Sequence, residues 1–484
     1  MKQKKVKNWI NGSEIAGINN DWIDKFNPHN GQKMLELVCS SKEDVEKAVS
    51  AAKNAFISWS EKTPVSRGDY LFNMVKIMRE DSNELARNIA EETGKPLQDA
   101  LGEVGGSVMQ GEFFAGEGMR LYGKTLTSGM PGKMSQTVRL PHGVVALIVP
   151  ANTPIANIAW KIFPALICGN TIVLKSSEDS PSVANMMAMI AKKANLPDGV
   201  FNVIHGDGNS GAALVENTDI SLISFTGSTG VGKSIAQSAG KRLARVSLEL
   251  GGKNTFLVCD DAEMDQAVHW ASLSAFSNAG QRCAATSRIL VFESVYEEFI
   301  LKFVEKAKTL KLGVSEGCDL GPVINKKQYE NIIKAIKQAE KDGGNILIGG
   351  KCKDKSLENG YYIRPTIISG LSNDNNLNHN EIFGPVATIQ TVKTLEEALQ
   401  KANDSDYGLT AAIHTKDIDR ALWYSKRIRT GLVNINIGTY GSEPHMPFGG
   451  YGFSGNGTRE PGVEALDVYS ELKNISFLER KENI

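Results

Sequence analysis

The chain has 484 residues, more than one hydrophobic core usually serves, so two or more domains are expected. Its 54 basic and 55 acidic side chains leave a formal net charge of -1, which removes the electrostatic basis for nucleic-acid or anionic-membrane binding and points to a small-molecule partner. Six scattered cysteines without a C-x-x-C pair, and seven histidines without ligand spacing, argue against a structural zinc, so no metal is expected.

The basic start Met1-Lys2-Gln3-Lys4-Lys5 runs into Asn8-Trp9-Ile10-Asn11-Gly12, where a signal peptide would need an apolar core. The apolar run near residues 144–149 is too short to cross a bilayer, and a cytoplasmic protein without membrane segments is expected. Residues 41–78 read as amphipathic helices separated by Pro64, followed by a helix over 83–93 that stops at Gly94 and Lys95-Pro96-Leu97. Residues 122–138 mix Gly, Pro, Thr and Ser without apolar periodicity. A continuous apolar strand follows at 143–149, and Pro150-Ala151-Asn152-Thr153-Pro154 then opens a helix reaching Trp160. The next strand, 171–174, delivers Lys175-Ser176-Ser177-Glu178, completing a βαβ pattern with candidate sites at strand ends. From this local pattern alone Asn152 reads as a capping or turn residue.

Two glycine motifs come next. Gly206-Asp207-Gly208-Asn209-Ser210-Gly211 satisfies G-x-G-x-x-G, but the following strand, 222–225, ends in Thr226-Gly227 instead of a ribose-binding acid, so a tight strand-to-helix turn is expected. Gly227-Ser228-Thr229-Gly230-Val231-Gly232-Lys233-Ser234 fits the Walker A pattern, and Phe256-Leu257-Val258-Cys259-Asp260 imitates Walker B. On motif logic a P-loop nucleotide hydrolase is therefore a rival reading. Small residues at a helix N-terminus suit any phosphate, so flanking chemistry has to discriminate.

That chemistry lies in Leu248-Glu249-Leu250-Gly251-Gly252-Lys253 and Gly280-Gln281-Arg282-Cys283. An apolar strand, 255–259, and a helix, 262–277, separate them, so the fold can return a thiol to a carboxylate, an arrangement suited to covalent catalysis with a general base. The other cysteines, Cys39, Cys168, Cys259, Cys318 and Cys352, read as small hydrophobes or incidental thiols. A strand at 288–291 and helices at 295–310 and 326–342 announce a second α/β unit. Then come Glu381-Ile382-Phe383-Gly384-Pro385-Val386, Val433-Asn434-Ile435-Asn436, Pro447-Phe448-Gly449-Gly450, Ser454-Gly455-Asn456-Gly457-Thr458-Arg459-Glu460 and a strand-like stretch at 465–477.

The glutamate and cysteine segments together, in this order, resemble the two signatures of the aldehyde dehydrogenase superfamily. The Pro-x-Asn-x-Pro run, Phe225-Thr226-Gly227-Ser228-Thr229, the Glu381 motif and the C-terminal glycine loops resemble its further motifs, with Thr458 inserted relative to the family's Gly-Arg-Glu. The resemblance implies an α/β fold. A Rossmann-like NAD-binding domain would cover residues 1–122 and 141–250 and an α/β catalytic domain 251–462. A small β oligomerisation element, 123–140 and 463–484, would pair a homodimer or homotetramer, its last strand crossing a subunit boundary.

The resemblance also assigns roles. Cys283 becomes the nucleophile, Glu249 the base that activates water, and Asn152 the oxyanion donor. Lys175 and Glu178 are placed on the adenosine ribose, Gly227, Ser228 and Gly232 at the pyrophosphate, and Leu250, Glu381 and Phe383 around the nicotinamide. Lys233 is left a solvated helix residue. A carboxylate at position 178 accepts from a 2′-hydroxyl and repels a 2′-phosphate, so NAD is expected over NADP. Glu249 favours release by hydrolysis over transfer to coenzyme A. The implied pocket, Thr153, Asn157, Trp160, Arg282, Tyr440, Glu443, His445 and Phe448, is polar. A short hydroxylated or acid-bearing aldehyde is expected, such as lactaldehyde or a dicarboxylate semialdehyde, with Arg282 beside the nucleophile as a partner for its charge.

Overall fold

The computed structural model describes residues 4–479. Residues 1–3 and 480–484, which hold the start of the basic run and the end of the expected oligomerisation element, lie outside the described residues.

Two seven-stranded sheets organise the chain. In the first, the strands run in the order Arg245–Glu249, Ile220–Thr226, Val144–Ile148, Thr171–Lys175, Phe201–Ile204, Asn8–Ile10 and Ser13–Ile15. The first five are parallel and the last two antiparallel. Strand Val144–Ile148 is buried at every position, as a parallel strand covered on both faces must be. Val145 and Leu147 join one core with Phe163 and Leu174, while Val144, Ala146 and Ile148 join the core on the opposite face, the two-residue alternation of a strand. The chain winds outward from Val144–Ile148 in both directions, so the sheet has its switch point between that strand and Ile220–Thr226. Crevices for ligands form at the carboxyl ends of such a pair.

The second sheet runs Asn345–Lys351, Ile363–Ser369, Val386–Val392, Thr286–Phe292, Asn254–Val258, Thr410–His414, Leu432–Ile435, all parallel except the first pair. The fold is thus α/β with two parallel-stranded sheets. Among the described residues no helix is long and apolar enough to cross a membrane.

Most expected helices form, at Lys42–Ser60, Pro64–Glu80, Ser82–Thr93, Pro154–Ile167, Met264–Phe276, Tyr296–Thr309 and Lys326–Lys341. Pro64 and Pro154 occupy first helical positions, where a missing N–H costs nothing. Gly94, at φ 76°, takes the left-handed conformation that ends Ser82–Thr93. The sequence reading leaves the helix Leu97–Glu117 unassigned. Its glycines look like breakers, yet at Gly111 a Cβ would come within 2.5 Å of Val75 and 2.8 Å of Phe163, so the missing side chain is what lets three helices pack.

Residues 206–211 do form the expected turn into a helix, Gly208–Glu216, capped by Asp207. The C-terminal stretch differs from expectation. Ala465–Val468 is a helical turn, and the strand is Ser470–Leu478, paired antiparallel with Lys133–Pro141 of its own chain from Ser470↔Pro141 to Leu478↔Lys133. With Thr125–Leu126 these make a three-stranded sheet whose edge strand exposes Leu472, Phe477 and Leu478.

Candidate active site

A single cleft of about 910 Å³ runs from the strand ends of the first sheet to the loops of the second. Of the residues singled out from sequence, Asn152, Cys283, Glu249, Leu250, Lys175, Glu178, Gly227, Ser228, Glu381, Phe383, Trp160 and Phe448 line it, as do Thr153 and Asn157. Gly232 does not. A Cβ there would sit 2.5 Å from Leu250 Cδ2, so its small size serves helix packing behind the cleft wall. Arg282, Tyr440, Glu443 and His445 also lie off the lining. The Arg282 guanidinium stacks 4.4 Å above the Tyr440 ring, and Glu443 and His445 are exposed, 3.9 Å apart. An apolar cluster of Ala284, Leu409, Phe448, Trp160, Leu432 and Tyr440 packs against the thiol, while Asn152, Thr153, Asn157 and Gln281 bring polar groups to the cleft lining. Asn157 spends its amide on Asn152 Oδ1 (3.2 Å) and on the Thr153 carbonyl and hydroxyl.

Cys283 follows a tight turn, Ser277–Gly280, in which Asn278 and Ala279 hold left-handed φ of 53°. Such backbone persists only where surrounding contacts over-determine it. Here Asn254 Nδ2 donates to the carbonyls of Cys283 (2.7 Å) and Ala285 (2.8 Å), and the Gln281 amide bridges Asn278 and Ile324. Asn152 Nδ2 donates to the Gln281 carbonyl at 3.0 Å, which ties the amide to the cysteine loop and leaves its second hydrogen for the cleft. Burial, together with the negative charge of Glu381 and Glu249, pushes the Cys283 thiol up to about 12.

Glu249 ends its strand with both carboxylate oxygens buried and without a hydrogen-bond partner. Desolvation raises its pKa well above the ordinary carboxylate range, reinforced by Glu460 and opposed by Lys161. These last two form a buried polar cluster that sequence reasoning misses. Lys161 Nζ lies 2.7 Å from Glu460 Oε2, while Ser224, Ser247 and Tyr469 donate to Oε1 at 2.8, 3.1 and 3.0 Å. A lysine inside the mostly apolar helix Pro154–Ile167 is the available signal, since a fully buried lysine needs a partner. Thr458 receives a hydrogen bond from Ser247 at 3.0 Å, two residues before Glu460.

Glu381 reaches into the same cleft, accepting from Gly252 N at 3.1 Å, and desolvation lifts its carboxyl to about 7. Phe383 beside it holds φ 55°. At the far end Lys175 Nζ and Glu178 Oε2 are 3.5 Å apart. Ser228 caps the helix Thr229–Gly240 without a side-chain bond, so first-turn amides remain free at a helix N-terminus on the cleft wall. The chain therefore offers a dinucleotide what it needs: carboxylates at both ends, free amides between, and unpartnered acceptors beside the thiol.

The P-loop reading fails on topology. Lys233 turns away from the cleft to sit 3.3 Å over the Phe453 ring. Asp260 follows a strand of the other sheet and pairs with Arg420. A phosphate-binding lysine and a magnesium-holding aspartate must face one nucleotide, and these do not.

Comparison with known proteins agrees. The sequence profile of the aldehyde dehydrogenase family matches residues 15–475. An alpha-ketoglutaric semialdehyde dehydrogenase of Bacillus subtilis (strain 168) is 37% identical over 98% of both chains. Aldehyde dehydrogenase 1A1 of Gallus gallus is 38% identical over 95% of this chain and 92% of its own. Among solved structures, betaine aldehyde dehydrogenase from Staphylococcus aureus in complex with NAD+ superimposes with a TM-score of 0.95 at 34% identity, covering 97% of this chain and 94% of that one. The chain belongs to the aldehyde dehydrogenase family.

Proposed function

We propose that the protein oxidises an aldehyde to a carboxylic acid with NAD, the acyl group passing through Cys283. The observation that carries this is the convergence of a thiol, an unpartnered buried carboxylate and a tethered amide on one cleft. The residues at that cleft fit the dinucleotide, and a relative by fold is known in complex with NAD+. Glu178 at the strand end favours NAD over NADP.

Bound NAD supplies the hydride acceptor and a cationic ring that offsets the carboxylate charges beside Cys283. The Cys283 thiol gives up its proton to solvent, its sulfur adds to the aldehyde carbon, and the carbonyl oxygen becomes an alkoxide. The free Asn152 N–H and the Cys283 backbone N–H meet that charge; one such donor is worth about 2.7 to 4 kcal/mol of barrier. Hydride loss from the tetrahedral carbon leaves a thioester on Sγ. Glu249, its basicity raised by burial, then takes a proton from water as the oxygen attacks, and the acid departs while the thiol is restored. Hydrolysis is favoured over acyl transfer to coenzyme A because this base is present.

Trp160 and Phe448 give the cleft an apolar flank, and Arg282, next to Cys283 in the chain with its guanidinium stacked on Tyr440, is the cation that would serve an anionic end group. An acid-bearing aldehyde is the favoured class, in keeping with the semialdehyde named for the Bacillus relative. The edge strand Ser470–Leu478 with its exposed apolar side chains supports a homodimer or homotetramer. A panel of aldehydes assayed with NAD tests the reading. NAD reduction should be lost in Cys283→Ser while dinucleotide binding survives, and an undiminished rate in that variant would refute it.

A further inference from the structure

Asn152 sits in an irregular segment between a strand and the helix Pro154–Ile167, and that helix receives no side-chain cap from Thr153. The missing cap comes from another element. Glu103, on Leu97–Glu117, accepts through Oε1 from the amides of Ile155 (3.0 Å) and Ala156 (3.3 Å). Its Oε2 lies 2.6 Å from Lys95 Nζ, and Lys95 in turn donates to the Asn152 carbonyl at 2.8 Å. The same carbonyl accepts from Asn278 Nδ2 of the cysteine turn at 3.1 Å. Both charged side chains are almost wholly buried, 4% and 6% exposed.

We propose that Lys95 and Glu103 are positioning residues that aim the Asn152 amide at the developing oxyanion. The inference rests on the reading of Asn152 as that donor. A buried ion pair seldom stabilises more than apolar packing would, so stability alone does not account for this one. A carboxylate at a helix N-terminus is favoured by the helix dipole and accounts for Glu103 alone. It leaves the lysine unexplained. What the pair adds is a charge-assisted hold on the Asn152 backbone beside that of Asn278, so that the residue is fixed at its carbonyl by two donors and at its side chain by Asn157 and Gln281. Displacement of a reacting group by about 1 Å can cost on the order of 100-fold in rate.

The test uses Lys95→Met combined with Glu103→Gln, which removes both charges together and keeps an oxygen to accept from Ile155 and Ala156. Aldehyde oxidation should lose about 10- to 100-fold in kcat with KM for NAD unchanged. Alkylation of Cys283 by iodoacetamide, a displacement at saturated carbon that develops no oxyanion, should proceed at the wild-type rate, and the thermal midpoint should hold. Lys95→Arg should recover most of the kcat. In an Asn152→Ala background the double substitution should cost nothing further. The inference is overturned if kcat is unchanged, if alkylation and thermal midpoint fall in parallel with it, or if the losses multiply with that of Asn152→Ala. An Asn152→Ala variant that keeps its full rate would instead remove the oxyanion reading itself.

Discussion

Replacing Glu381 with Gln should make the cofactor-free protein more stable at alkaline pH. An ordinary glutamate titrates near 4.5, and desolvation lifts Glu381 to about 7. The folded protein therefore holds a proton that the unfolded chain releases between those values. Stability falls as pH rises through the window, and the penalty is complete above pH 7. At about 1.4 kcal/mol for each pH step between 4.5 and 7, the penalty comes to roughly 3.5 kcal/mol. The replacement amide carries no charge to desolvate and still accepts from Gly252 N. Part of the gain is offset at Lys253, whose ammonium burial and Arg288 already depress to about 7 and which Glu381 supports. A net gain of about 1 to 3 kcal/mol at pH 8 is expected, a rise of a few degrees in the unfolding midpoint. The assay is thermal unfolding of wild type and Glu381→Gln without NAD, at pH 4.5 and pH 8, compared as midpoints because two large sheets need not unfold in one step. The gain should appear at pH 8 and vanish at pH 4.5. A variant less stable at pH 8, or shifted equally at both, would refute the desolvation argument. With NAD added the order should reverse, since the carboxylate that strains the empty fold is the one expected to grip the ribose.

Three further outcomes follow from the geometry. Glu249→Gln should cut steady-state turnover by about 100- to 10,000-fold while one equivalent of NADH still forms in a burst, with the acyl adduct on Cys283 detectable by mass spectrometry; absence of the burst would place Glu249 before hydride loss. Glu178→Gln, by removing a carboxylate that repels a 2′-phosphate, should narrow the NAD-over-NADP preference in kcat/KM about tenfold, roughly 1.4 kcal/mol, and an unchanged ratio would mean that Glu178 does not face the ribose. Arg282→Leu should raise KM for acid-bearing aldehydes about 10- to 100-fold, the worth of a charged hydrogen bond. An equal rise for neutral aldehydes of the same length would point to lost stacking on Tyr440 instead.

Cys283 and Glu249 are readable from their own runs, whereas the roles of Asn152 and Glu381 are read only from the family resemblance, the local pattern at Asn152 being that of a cap. Cys283, Glu249, Asn152 and Glu381 line one cleft, and the return of the thiol to the Glu249 carboxylate is what the order of those two segments leads one to expect. What cannot be read depends on partners far along the chain. Lys161 and Glu460 are separated by 299 positions, and Lys95 reaches Asn152 across 57. Neither pair leaves a pattern in its own segment. Leu97–Glu117 escapes notice because its glycines count against a helix until the neighbours they admit are known. Glu443 and His445, named from the motifs, are exposed and are not among the residues that line the cleft. The strand pairing of Ser470–Leu478 within its own chain likewise requires the Lys133–Pro141 partner to be in place.

The two glycines after Glu249 show why the site depends on both sheets being docked. A Cβ at Gly251 would come within 2.1 Å of Glu381 Oε2, and one at Gly252 within 2.5 Å of the Cys283 carbonyl. Neither residue needs unusual backbone freedom, for neither has a positive φ. Their requirement is steric. The thiol loop and the Glu381 loop, both from the second sheet, close onto backbone that has just left the first, with no room between for one methyl group. Across the cleft Gly449 does the same for the carboxylate, since a Cβ there would lie 2.8 Å from Glu249 Oε1. A methyl at any of these points would separate Cys283, Glu249 and Glu381 by displacements that the proposed catalysis does not tolerate. Leu-Glu-Leu-Gly-Gly is thus a carboxylate followed by the clearance that lets its two partners approach.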